Sequence, residues 1–71
     1  MHTPENVQAG DKVLILSPAY VAGKFGVVLS REPFVDGQPS DHWLIQVNNE
    51  NIVVSLTPNE FQVVDKEKKY D

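Results

Sequence analysis

The stretch that decides the fold is Ala9–Val28, "AGDKVLILSPAYVAGKFGVV". "KVLIL" is a short apolar run with strand character, and "FGVVLSR", Phe25–Arg31, reads as a second strand. Between them lie Ser17, Pro18, Tyr20, Gly23 and Lys24, and Gly26 follows at the start of the second strand. Proline and two glycines within a few residues mark a turn and not a helix. Glycine also permits a sharp bend or a close backbone approach without a side-chain clash. Gly23 and Gly26 are therefore read first as structural residues.

The same grammar runs through the rest of the chain. "EPFVDGQPSD" carries two prolines and a glycine and is read as a loop, with Asp36-Gly37 as its tightest turn signal. "HWLIQV", His42–Val47, is a third strand, and "NNEN" is a hairpin turn, because asparagine tolerates left-handed backbone. "IVVSL", Ile52–Leu56, is a fourth strand. "TPNE" reads as a single tight turn of 3₁₀ type, and "FQVV", Phe61–Val64, as a short last strand. No segment sustains a 3.6-residue apolar period, so no α-helix is expected. Alternation places Val13 and Ile15, then Trp43, Ile45 and Val47, then Ile52, Val54 and Leu56, then Phe61 and Val63 on core-facing rows, joined by Val28.

Length and composition bound the object. The chain has 71 residues, enough for one small domain, and no cysteine, which leaves no disulfide or thiolate metal site. With 41% hydrophobic and 23% charged residues, the whole chain is not of disordered composition. Five short strands do not fill two sheets, and a flat sheet would leave long free edges, so an all-β, partly closed five-stranded barrel is the expected class. Residues 1–8 are expected to be a flexible N-terminus, residues 9–65 the barrel, and residues 66–71, "KEKKYD", a charged, disordered C-terminal tail. No apolar run reaches signal-peptide or membrane-spanning length, so a cytoplasmic location without membrane insertion is expected.

Ala9–Val64 resembles the KOW motif of small Src-homology-3-type barrels. The residues that carry the resemblance are Gly10, Asp11, Val13, Ile15, Gly23, Lys24, Gly26 and Val28, and "SLTPNEFQVV" resembles the end of such a barrel. The resemblance implies one of two roles. KOW-type barrels of ribosomal and transcription proteins bind RNA or protein. Other Src-homology-3-type barrels are accessory subunits that carry no cofactor and dock beside one, such as the small peripheral subunit of photosystem I and the variable chain of ferredoxin–thioredoxin reductase.

Charge separates these roles. The net charge is −4, and residues 1–65 hold three basic groups, Lys12, Lys24 and Arg31, against eight acidic ones. Nucleic-acid binding needs clustered Lys and Arg to neutralise phosphates. A protein partner is therefore the expectation, and RNA the alternative. Exposed loop aromatics often anchor partners, so Tyr20 and Phe34, with Lys24 and Arg31, are the candidate partner-binding residues. Self-association through a free barrel edge stays open.

Catalytic chemistry finds no footing. A phosphate loop of the form G-x-x-x-x-G-K-[ST] fails at Pro18 and Phe25. His2 and His42 without cysteines make a weak metal set, and no metal or cofactor is expected. Ser17, Ser30, Ser40 and Ser55 lie in no nucleophile-elbow motif, so no catalytic residue is assigned and no enzyme is expected.

Overall fold

The computed structural model describes residues 7–66. It is all-β: β1 (Lys12–Ile15), β2 (Phe25–Val35), β3 (Gln38–Val47), β4 (Val53–Leu56) and β5 (Phe61–Asp65), with a 3₁₀ turn at Pro58–Glu60. The strands form one antiparallel sheet of five, ordered β4-β3-β2-β1-β5. The two edge strands, β4 and β5, are not paired to each other.

Alternation builds the core as expected. Val13, Ile15, Val28, Ile45, Val47, Val54, Leu56 and Phe61 are buried in one cluster, with Trp43 and Val63 packed against it. Leu56 and Phe61 lie on opposite edges of the sheet yet join the same cluster, so the sheet must bend around it. The 3₁₀ turn carries the chain from one edge to the other. Its geometry is local: the Glu60 carboxylate accepts from the Thr57 N–H (2.8 Å) and hydroxyl (3.2 Å).

Gly26 shows why the second strand needs glycine. A Cβ placed there would lie 2.7 Å from the Gln46 carbonyl oxygen and 2.7 Å from Ile45 Cγ2. The strands cross too closely for any side chain. Gly23 answers a different need, with φ of +86° in open space. It lies one residue before the end of the 16–24 loop, where its N–H donates to the Ile15 carbonyl at 2.8 Å.

Four expectations are corrected. "EPFVDGQPSD" is not a loop: β2 continues to Val35, β3 starts at Gln38, and only Asp36 and Gly37 turn. Both have positive φ, 53° and 77°, as a two-residue hairpin loop favours. The prolines are tolerated because this part of the ladder is all edge, and because the register shifts between Glu32 and Phe34 beside Pro33. Phe34 therefore lies in a strand. Ile52 precedes β4 and is 37% exposed, so it leaves the core row where alternation placed it.

The ordered body also reaches further than Ala9–Asp65. Val7 is buried in the core, and so is Val21 from the β1–β2 loop. Lys66, first residue of the charged tail, forms an ion pair with Asp11 at 2.9 Å. The rest of that tail, like residues 1–6, lies outside the described residues. Asp11 is fully buried, and the same carboxylate oxygen accepts from the Gln8 N–H at 2.9 Å. The Gly10-Asp11 pair that opens β1 thus ties the start of the described chain to its end.

Candidate interaction surface

One face of the sheet covers the core, and the other should be polar if it only meets water. On β2 it is not. Phe25 and Val27 alternate with the buried Gly26 and Val28 and so line the outward face, and the exposed Leu29 follows them at the register irregularity between Val28 and Ser30. Phe25 and Leu29 are 43% and 44% exposed. Neighbouring strands extend the column. Leu14 on β1 sits opposite Phe25, Leu44 on β3 opposite Ser30, and Val53 on β4 beside Gln46, which itself pairs with Val27. Lys12 partly covers this face, its ammonium 5.0 Å from the centre of the Phe25 ring.

The four residues singled out from sequence do not meet in one place. Tyr20 is 70% exposed on the 16–24 loop, next to Val21, which anchors that loop in the core. Lys24 ends the same loop and pairs at 2.6 Å with Glu50 in the β3–β4 turn. Phe34 is 62% exposed near the tip of the β2–β3 hairpin. From Lys24 to Phe34 an extended strand runs up to about 33 Å. Arg31 lies between them, opposite Trp43, and so on the core-side face of the ladder. The outward column at Phe25, Val27 and Leu29 went unassigned in the sequence. Its signal was there: β2 is apolar at consecutive positions, the pattern of a strand covered on both faces.

A polar cluster sits at the base of the hairpin. The Ser55 hydroxyl donates to Glu32 Oε1 at 2.6 Å, and His42 Nδ1 lies 3.1 Å from Ser55 Oγ. In a nucleophilic relay the histidine stands between serine and acid. Here the serine stands in the middle and spends its proton on the carboxylate. The arrangement works as a clamp that joins β2 and β3 to β4. His2, the other histidine considered as a ligand, lies outside the described residues. Among the described residues, no helix is long and apolar enough to cross a membrane.

No protein-family model matches the sequence, and neither the curated proteins nor the solved structures yield a significant match.

Proposed function

We propose that this chain is a Src-homology-3-type, KOW-like barrel that works without catalysis as a protein-interaction module or accessory subunit of a larger complex. The strand order, the 3₁₀ turn before the last strand and the close crossing at Gly26 support the barrel reading. The observation that carries the functional reading is the outward apolar column Phe25–Val27–Leu29, flanked by Leu14, Leu44 and Val53. A contiguous apolar stretch on a solvent face is the mark of a contact surface. Tyr20 on the 16–24 loop and Phe34 near the hairpin tip are further exposed aromatics that can anchor a partner.

The test is capture of partners from native lysate by the tagged chain, washed at two salt concentrations. Wild type is expected to retain a protein at both. Leu29→Asp should lose it while melting as wild type does, because a surface substitution costs within about 0.5 kcal/mol. The reading is overturned if nothing is retained above background, or if Leu29→Asp retains the same protein. Capture that is nuclease-sensitive, weakens with salt and fails when Lys24 and Arg31 are replaced would put RNA in the protein's place.

A further inference from the structure

The sheet treats its free edges unequally. The outer side of the hairpin is blunted by Pro33, Pro39 and a register shift between Glu32 and Phe34. β5 has a register irregularity against β1 and ends on Asp65. These are the devices by which natural sheets avoid pairing with another chain. β4, four residues long, is guarded by its shortness alone. Its sequence, "VVSL", contains no charge and no proline, and its ladder to β3 runs without a shift.

The hydrogen-bond phase of β4 can be read from its start. Val47 N–H donates to the Ile52 carbonyl at 3.1 Å. In an antiparallel ladder, bonded and non-bonded pairs alternate. With Ile45 opposite Val54 and Trp43 opposite Leu56, those two pairs are bonded. Val53 and Ser55 therefore turn their N–H and C=O groups outward, and no described strand meets them.

The geometry points to a second copy of this chain as the occupant of that edge, joined β4 to β4 about a twofold axis through Val54. Three conditions single out this register. Opposed residues must share a sheet face, so the outward Val53 meets an outward residue of the second copy, Val53 or Ser55; setting Val54 against Val54 is the register that gives both Val53 and Ser55 a partner within β4. Each bonded pair must use groups left free within the chain, and Val53 and Ser55 hold those groups. They exchange both N–H···O=C bonds, and the symmetry repeats the exchange. Finally, Ile52, 37% exposed, comes opposite Leu56 of the second copy and extends its core row. Slipping by one residue would set the two cores on opposite faces of the joined sheet. The contact is isologous and closes on itself, so it makes a dimer and not a fibre.

The experiment is sedimentation of the full chain over a concentration series, with amide hydrogen exchange read residue by residue. The chain is expected to dimerise, and the Val53 and Ser55 amides to be protected in the dimer and to lose that protection on dilution. Val53→Pro removes an N–H that the monomer does not use, and should give a folded monomer. Val53→Lys leaves the backbone intact and adds a guarding charge to each copy, and should weaken the dimer at least tenfold even if the proline variant fails to fold. A chain that stays monomeric at its solubility limit overturns the inference. So does a dimer whose Val53 and Ser55 amides exchange freely, or one that Val53→Lys leaves unchanged.

Discussion

The two long strands, β2 and β3, each live in two worlds. In their body-side halves, Phe25–Val28 and Trp43–Val47, they are the centre of the sheet, with β1 and β4 on either side. In their outer halves, residues 32–42, they pair only with each other, and none of those residues is buried. A two-stranded ladder alone is at best marginally stable in water. The outer half stands because the inner half sets its register, the Asp36-Gly37 turn closes it, and polar bonds brace it. Ser40 donates to the Glu32 carbonyl at 2.8 Å and accepts from the His42 N–H at 3.0 Å. Order in the hairpin is therefore borrowed from the body, whereas order in the body comes from burial. Each half should fail differently when damaged.

The sharpest way to break the body is at Gly26. Gly26→Ala puts a methyl where the Gln46 carbonyl oxygen and Ile45 already are. A backbone oxygen in a paired strand has nowhere to withdraw, and overpacking of this kind costs about 3 kcal/mol. A domain of this length holds little reserve beyond that. Chemical denaturation should show one cooperative transition at a much lower midpoint, with body and hairpin lost together. If the hairpin alone melts, the body does not depend on Gly26 and the hairpin does not borrow its order from the body.

Asp11 probes how the ends of the body are held. It is buried, and it serves both the Gln8 N–H and the Lys66 ammonium. Asp11→Ala removes a buried charged acceptor from the Gln8 N–H and the Lys66 ammonium and should cost about 2 kcal/mol, since hydrogen bonds to charged groups run at about 1.5–3 kcal/mol. By contrast, replacing Lys24 of the exposed Lys24–Glu50 pair should leave the melting midpoint nearly where it was.

The body was largely legible in the sequence, and the hairpin was not. Alternation in "KVLI", "LIQV" and "VVSL" marks which side of each strand meets the core, because burial imposes a period of two. Gly26 was legible for another reason: a glycine near the start of an apolar strand implies a bend or a close backbone approach. "EPFVDGQPSD" misleads because its prolines argue against a strand, and the argument holds only where a ladder needs every N–H. On an edge it does not. Val21 and Val7 were missed because a single apolar residue in a loop has no periodic neighbours to announce it. Asp11 was read as part of a motif, but its tie to Lys66, across most of the chain, has no local trace. The outward column on β2 was overlooked for a simpler reason. Both faces of the strand are apolar at Phe25–Leu29, so the sequence pattern satisfies a core row on one face without saying what the other face meets.

The smallest effect should come from the hairpin turn. Gly37 has φ of +77° and open space around it, so alanine there meets no clash, only the cost of a left-handed backbone. That cost is about 1 kcal/mol. If the hairpin borrows its order, the loss should stay local. In Gly37→Ala, amides of residues 32–42 should exchange faster by roughly fivefold, the ratio that 1 kcal/mol implies at room temperature. Amides of Val13, Val28 and Ile45 should keep their protection, because they open only with the whole body. Equal losses in both regions would mean that hairpin and body form a single cooperative unit, and that the outer ladder contributes to the stability it was thought to borrow.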